Sequence, residues 1–293
     1  MDDKRIVSLK IKDLRKDFID SLSELYEPEE VLSFFYILSE KFLGLRRVDV
    51  ALALETVISS QELSKFENAK NHLKKQDPIQ YITGDTEFYG LSFKVNQNVL
   101  IPRPETEELV DWIIKDYQRK EGGRKIKVLD IGTGSGCIAI SLAKNLPEID
   151  MYAIDVSKEA LEVAKENAKH NKVAVTFMCA DILQLDALKN SFDIIISNPP
   201  YVRELEKQEI HANVLENEPH LALFVSDQDP LIFYRKITRL AKKSLLADGL
   251  LYFEINQYLG TETKEMIKKL GFNSVSLRKD LYNNDRMIKA SII

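Results

Sequence analysis

The sequence predicts an α/β protein: an open, doubly wound sheet with an antiparallel edge strand, preceded by a small all-helical bundle and a β-hairpin connector. Three observations predict this. From Ile126 onward, apolar strand-like runs alternate with helix-like segments, the order that builds a mostly parallel sheet covered on both faces. The run Val128-Leu129-Asp130-Ile131 breaks into Gly132-Thr133-Gly134-Ser135-Gly136 and resumes at Cys137 with helical apolar spacing. Residues 1–80 contain one glycine, Gly44, and prolines only at Pro28 and Pro78, with apolar residues recurring at helical spacing.

The elements follow in order. Residues 1–80 form the bundle, and the stripe Val31, Phe34, Phe35, Leu38 and Phe42, continued by Leu52, Leu54, Val57 and Ile58, reads as its core. Residues 81–101 alternate and carry Gly84 and Gly90, which predicts the hairpin connector. The third part, 102–293, opens at Pro102 and Pro104 with a helix through Trp112. Glu105, Glu107 and Glu108 suit its first turn, where the helix dipole favours negative charge; lying beside a ligand is the other reading of this segment. Strands are expected at 126–131, 150–154, 173–178, 192–197, 249–255, 272–277 and 286–292, with helices at 136–146, 157–171, 229–246 and 261–270. The short Asp280 to Asp285 link makes the last two strands an antiparallel edge pair.

Composition narrows the function classes. A chain of 293 residues fits two domains. No apolar run reaches the roughly 18 residues that span a bilayer, so no membrane partner is expected. The start, Met1-Asp2-Asp3-Lys4-Arg5, leads into mixed charge rather than a secretory apolar stretch. Cys137 and Cys179 fall within apolar patterns and read as core residues, which fits a reducing, cytoplasmic compartment. A net charge of −5 argues against a nucleic-acid partner, since duplex binders present a basic face. The four histidines, His72, His170, His211 and His220, have no metal-ligand spacing, so no metal and no histidine catalyst are expected.

The chemistry concentrates at predicted carboxyl ends of strands, where open α/β sheets bind ligands. Asn198-Pro199-Pro200-Tyr201 directly follows the strand Phe192–Ser197. Two prolines fix φ and remove two donors, and the residue before a proline is driven extended, so Asn198 sits in a rigid turn with free carbonyls beside it. Such a cluster accepts hydrogen bonds from an NH2 group, and Tyr201 adds a flat aromatic wall; taken alone, the tetrad also reads as a Pro-rich loop. The turn Gly132-Thr133-Gly134-Ser135-Gly136 lets backbone approach a ligand closely. Its Gly-x-Gly-x-Gly spacing falls one residue short of the dinucleotide fingerprint, which favours a nucleoside ligand without phosphates. Asp155 ends a strand where an acid can accept from both ribose hydroxyls, although it also precedes Ser157 and a helix that it could cap. Asp181 could accept from an adenine amino group, with Ile182 against the ring.

These features in this order resemble the class I S-adenosylmethionine-dependent methyltransferases that methylate a planar NH2 group. Asn-Pro-Pro-Tyr is shared by adenine-amino DNA, guanine-amino RNA and protein-glutamine methyltransferases. The segments Pro78-Ile79-Gln80-Tyr81-Ile82-Thr83-Gly84, Phe88-Tyr89-Gly90-Leu91 and Val99-Leu100-Ile101-Pro102-Arg103-Pro104-Glu105-Thr106-Glu107 resemble the PrmC family, also called HemK, the glutamine methyltransferases of peptide chain release factors. Glu218–Phe224 and Asp280–Arg286 fit it as well. The resemblance runs from about Pro78 to the C-terminus; the earlier part agrees in size and helical character. It departs at Asn256 and Asn283, where the family has glycine.

The resemblance implies a class I methyltransferase sheet and S-adenosylmethionine as cofactor, held by Gly132, Thr133, Gly134, Ser135, Gly136, Asp155, Asp181, Ile182 and Asn198. It implies a glutamine substrate, from the Gly-Gly-Gln loop of class I release factors, held by Asn198, Pro199, Pro200 and Tyr201, with Asn198, Pro199 and Tyr201 catalytic. The helical 1–80 part would recognise the release factor, and the protein would act as a monomer. The competing readings are an adenine or guanine amino-methyltransferase acting on RNA or DNA, a nicotinamide-dependent oxidoreductase, and a non-catalytic nucleoside-binding module.

Overall fold

A computed structural model describes residues 9–118, 125–210 and 212–293. The chain divides into two compact units, Met1–Gly84 and Asp85–Ile293.

The first unit holds helices α1 (Ile11–Leu22), α2 (Pro28–Leu43), α3 (Arg47–Leu52), α4 (Ser60–Leu73) and α5 (Ile79–Thr83), with two-residue strands β1 (Leu9–Lys10) and β2 (Val57–Ile58). Local chemistry sets the boundaries. Pro28 opens α2 and left-handed Gly44 closes it, and Ser59 and Glu62 form a capping box at α4. Phe18, Phe35 and Phe66 interlock at ring-centroid distances of 5.7 to 6.5 Å in the centre of the core. Val31, Phe35, Leu38 and Ile58 are buried as expected, but Leu52 is 85% and Val57 52% exposed. The short α3 turns Val50 inward instead of Leu52, and the two-residue alternation of β2 sends Ile58 in and Val57 out.

The second unit begins with a hairpin of β3 (Asp85–Phe88) and β4 (Leu91–Lys94). Its two-residue loop, Tyr89 and Gly90, has φ of 50° and 71°, the positive pair that suits strand twist. The hairpin is shorter than the expected 81–101, because Pro78 and left-handed Gly84 bound the helical turn α5 and residues 95–103 form neither helix nor strand. Then come α6 (Pro104–Gln118), β5 (Ile126–Ile131), α7 (Cys137–Asn145), β6 (Ile149–Asp155), α8 (Lys158–Asn171), β7 (Thr176–Cys179) and β8 (Phe192–Ser197). Short pieces follow: β9 (Val202–Arg203), a 3-10 turn (Glu204–Glu209), α9 (Ala212–Asn217), α10 (His220–Leu223) and β10 (Phe224–Val225). The unit ends with α11 (Ile232–Ser244), β11 (Leu245–Glu254), α12 (Gly260–Lys269), β12 (Ser274–Lys279) and β13 (Asp285–Ser291).

Seven strands form one sheet in the order β12-β13-β11-β8-β5-β6-β7. β5 pairs in parallel with both β6 and β8, β8 with β11, and β13 runs antiparallel between β11 and β12. The chain moves outward from β5 in one direction through β6 and β7, then restarts at β8 on the other side. The switch point therefore lies between β5 and β8. Alternate strand residues feed two cores. Val128, Ile194 and Ile196 join Leu109, Ile113, Ile138 and Leu142 of α6 and α7; Leu129, Ile195 and Phe253 join Tyr234, Ile237 and Ile267 of α11 and α12. Each such fully buried side chain contributes about 1.5–3 kcal/mol, so the sheet's position between its helices is strongly fixed.

The doubly wound sheet and its antiparallel edge agree with the expectation. β11 starts earlier than residue 249 because it is irregular, its register to β8 shifting between Leu245 and Leu250. Cys179 is exposed rather than core, because β7 is the sheet's edge strand, and Cys137 is half-buried. Among the described residues no helix is long and apolar enough to cross a membrane.

Candidate functional site

At the switch point the chain leaves β5 through three glycines with φ of 74° (Gly132), 54° (Gly134) and 82° (Gly136), a region side chains avoid. The amides of Gly132 and Thr133 both donate to the Ile154 carbonyl, at 2.8 and 3.1 Å, which fastens the turn to β6. The glycines serve different ends. A Cβ on Gly136 would meet Ile140 Cδ1 at 2.8 Å and Ala164 Cβ at 3.2 Å, so this glycine lets α7 pack on α8. A Cβ on Gly132 would lie 3.9 Å from the Asn198 carbonyl oxygen, so the β5 turn and the tetrad after β8 are immediate neighbours.

Asp155 completes the turn. Its Oδ2 accepts from the Gly134 amide at 2.8 Å and its Oδ1 from the Ser157 amide at 3.0 Å. The cap of α8 is Ser157, whose Oγ accepts from the Ala160 amide at 3.0 Å, so Asp155 is released from that duty. Each carboxylate oxygen keeps a further lone pair for a ligand. Asp181 uses Oδ1 to accept from the Leu183 amide at 2.9 Å, and Ile182 beside it is buried.

These residues surround a cavity of about 340 Å³. Gly132, Gly134, Asp155, Asp181, Ile182, Asn198, Pro199 and Pro200 all line it. Asp155 and Asp181 are its only charged lining residues among those described; the rest of the wall is largely apolar, with Ile154, Leu221, Phe233 and Ile237. A wall with two carboxylates and no lysine or arginine suits a cationic or neutral nucleoside and opposes a phosphate.

Four expected residues stand elsewhere. Thr133 turns its hydroxyl inward to donate to Asp130 Oδ2 at 2.6 Å. Ser135 is buried, its carbonyl accepting from Asn167 Nδ2 at 2.9 Å, and Gly136 faces α8. Tyr201 is not part of the cavity wall: its hydroxyl donates to Glu254 Oε1 at 3.1 Å. Glu107 Oε1 accepts from the Tyr89 amide at 2.8 Å and Glu108 Oε1 from the Leu281 amide at 3.0 Å, so these acids hold the β3–β4 hairpin turn and the link before β13. His220 contacts the Leu215 carbonyl at 2.8 Å, and His211 lies outside the described residues.

Three buried polar residues behind the wall had no sequence assignment. Asp130 is fully buried, and burial, with the negative charge of Asp155 added, pushes its carboxyl up to about 7 against the Thr133 bond. Glu254 is 1% exposed, and burial raises its pKa against the bond from Thr106 Oγ1 and the charge of Arg286. Thr106 is 2% exposed and joins Glu254 to Asn198. A signal existed for both acids: each interrupts an apolar strand, Asp130 within Val128–Ile131 and Glu254 after Leu251-Tyr252-Phe253.

Comparison with known proteins identifies the family. The PrmC N-terminal domain family matches residues 13–84, and the Methyltransferase small domain family matches residues 111–223. A release factor glutamine methyltransferase of Flavobacterium psychrophilum is 56% identical over 281 residues, spanning 96% of this chain and 99% of that protein. This chain belongs to the release factor glutamine methyltransferase family. The Bacteroides thetaiotaomicron member is 46% identical and spans 92% of this chain and 96% of its own. The crystal structure of a methyltransferase from Pyrococcus furiosus, 18% identical, superposes with a TM-score of 0.50 over 80% of this chain and 98% of that one, and shares its fold.

In this family member the two departures from the expected glycines have local explanations. Asn283 has φ of 66°, and asparagine is the side chain that best tolerates the left-handed region glycine otherwise fills. Asn256 gains contacts a glycine lacks: its Nδ2 donates to the Tyr201 carbonyl at 2.9 Å and to Glu206 Oε2 at 2.8 Å, tying down the chain after the tetrad.

Proposed function

We propose that this enzyme transfers a methyl group from S-adenosylmethionine to the side-chain amide nitrogen of the glutamine in the Gly-Gly-Gln motif of class I peptide chain release factors. The observation that carries this reading is the meeting of Asn198 and Pro199 with a cavity whose charged lining is two carboxylates. When bound, S-adenosylmethionine supplies an electrophilic methyl on a positively charged sulfur.

The chain's own residues then have defined tasks. Asp155 accepts from the ribose hydroxyls, Asp181 from the adenine amino group, and Ile182 packs on the ring. The Gly132–Gly134 backbone allows close approach. An amide nitrogen is a poor nucleophile because its lone pair is delocalised into the carbonyl. Asn198 Oδ1 and the Pro199 carbonyl accept hydrogen bonds from its two N–H groups, aim the nitrogen, and stabilise the positive charge it gains, a mirror image of an oxyanion hole. The nitrogen would gain the methyl carbon as the carbon–sulfur bond breaks, leaving a neutral thioether, and would then give up one proton to water. Pro199 and Pro200 keep the turn rigid. With its hydroxyl bound to Glu254, Tyr201 anchors the far end of the tetrad. Much of the acceleration comes from positioning, worth up to roughly 7–11 kcal/mol in favourable cases.

We assign recognition of the release factor to residues 1–80, with 81–101 as connector and 102–293 as the catalytic part, in a cytoplasmic monomer. The test is incubation with methyl-labelled cofactor and a mixture of release factors, tRNA, rRNA and DNA. The expected result is label in release factor alone; label in nucleic acid would favour the nucleobase reading.

A further inference from the structure

An asparagine side chain offers an acceptor on one side and two donors on the other, and the two arrangements have nearly the same shape. The reaction proposed above needs one of them: Oδ1, not Nδ2, must face the substrate. The cavity wall does not select between them, being largely apolar. The selection comes from behind it.

Thr106, in the first turn of α6, and Glu254, the last residue of β11, are both buried. Thr106 Oγ1 donates to Glu254 Oε2 at 2.6 Å, and Asn198 Nδ2 lies 3.5 Å from Thr106 Oγ1. A hydroxyl has one proton. The short bond to a carboxylate, which can only accept when ionised, commits that proton. Toward Asn198, Thr106 therefore presents lone pairs alone. Nδ2 is the group that can meet them, which turns Oδ1 toward the cavity. Glu254 Oε1 also accepts from the Tyr201 hydroxyl at 3.1 Å, so one carboxylate fixes the first and last residues of the tetrad. The nearby Arg286 guanidinium supports the ionised carboxylate that burial opposes.

We propose that Thr106 and Glu254 are positioning residues: Glu254 fixes the proton of Thr106, and Thr106 fixes which way round the Asn198 amide sits. The proposal rests on the reading of Asn198 as the acceptor of the substrate amide.

The experiment is steady-state kinetics on release factor, with calorimetric cofactor binding, for Thr106→Val, Thr106→Ser, Asn198→Ala and the double variant Thr106→Val with Asn198→Ala. Thr106→Ala serves as a second removal variant should valine disturb the fold. Removing the Thr106 hydroxyl should lower kcat about tenfold, the size of one net hydrogen bond, with KM and cofactor Kd changed less than about twofold. Thr106→Ser, which keeps the hydroxyl, should restore most of the rate. The double variant should turn over no more slowly than Asn198→Ala alone, because Thr106 acts through Asn198. Multiplying losses in the double variant, a failed serine rescue, or near-normal kcat in both removal variants would overturn the positioning role while leaving the catalytic reading of Asn198 in place. Near-normal kcat in Asn198→Ala would overturn both, and would locate the failure in the reading of the tetrad.

Discussion

Asp130, next to last in β5, and Asp155, last in β6, lie in neighbouring strands, yet their surroundings give them opposite tasks. Asp155 is partly exposed at the cavity and already accepts two backbone amides. Asp155→Ala removes the brace of the glycine turn and the ligand contacts proposed for this carboxylate. Cofactor affinity should fall by at least the roughly 1.5–3 kcal/mol of a hydrogen bond to a charged group, about 10- to 150-fold by calorimetry; unchanged affinity would remove Asp155 from the site. Asp130 is sealed beneath the turn, and its pKa of about 7 in the fold exceeds its ordinary value. The folded state then holds a proton the unfolded chain releases. Its stabilising contribution is complete below about pH 4 and is lost as pH rises to about 7. Denaturant titrations should show the parent losing stability across that window relative to Asp130→Asn, with a constant difference at higher pH; a pH-independent difference would show that Asp130 stays ionised in the fold. That Asn198, Pro199, Asp155, Asp181 and Ile182 line one cavity was legible in the sequence, because each lies in or beside a motif at the end of a strand. Thr106 was not, because its bond to Glu254 spans 148 residues and leaves no local spacing.

Among elements, the glycine turn and the helix it opens carry the clearest consequence. Gly134 and Gly136 both have positive φ, but a Cβ on Gly134 meets nothing within 4 Å, whereas one on Gly136 strikes Ile140 and Ala164. Gly134→Ala should cost the roughly 1–2 kcal/mol of a left-handed side chain. Gly136→Ala should cost clearly more, since it also pushes α7 from α8. Thermal unfolding of the two variants measures the difference, and equal midpoints would contradict separate roles for the two glycines. The long strands and helices were legible from their apolar periods, with ends shifted by a few residues. The stretch between β8 and α11 was not. Its pieces are two to six residues long and are held by distant side chains, such as Asn256 on the Tyr201 carbonyl and Glu218, which receives Arg103 Nη2 at 2.6 Å. No local period encodes such contacts. The partner of Tyr201 was hidden for the same reason: Glu254, which accepts from its hydroxyl, arrives from another strand.

For the whole molecule, two units with separate cores predict separable tasks. Deleting residues 1–84 should leave cofactor binding nearly intact. Methylation of an intact release factor should fall far more than methylation of a short Gly-Gly-Gln peptide; equal losses would make the first unit a support for the second rather than a recognition module. The open doubly wound class of the sheet was legible in the alternation of strands and helices, while its particular arrangement was implied by the family resemblance. The central claim is that the tetrad presents a glutamine amide for methylation by accepting hydrogen bonds from its NH2 group. Its most direct test is mass-spectrometric mapping of release factor after reaction with the parent enzyme and with Asn198→Ala, alongside cofactor binding. The parent should place one methyl on the glutamine of the Gly-Gly-Gln motif, and Asn198→Ala should lose about 10²–10³ in kcat, with a much smaller loss of cofactor affinity. Methylation at another site, or near-normal turnover by Asn198→Ala, would contradict the account.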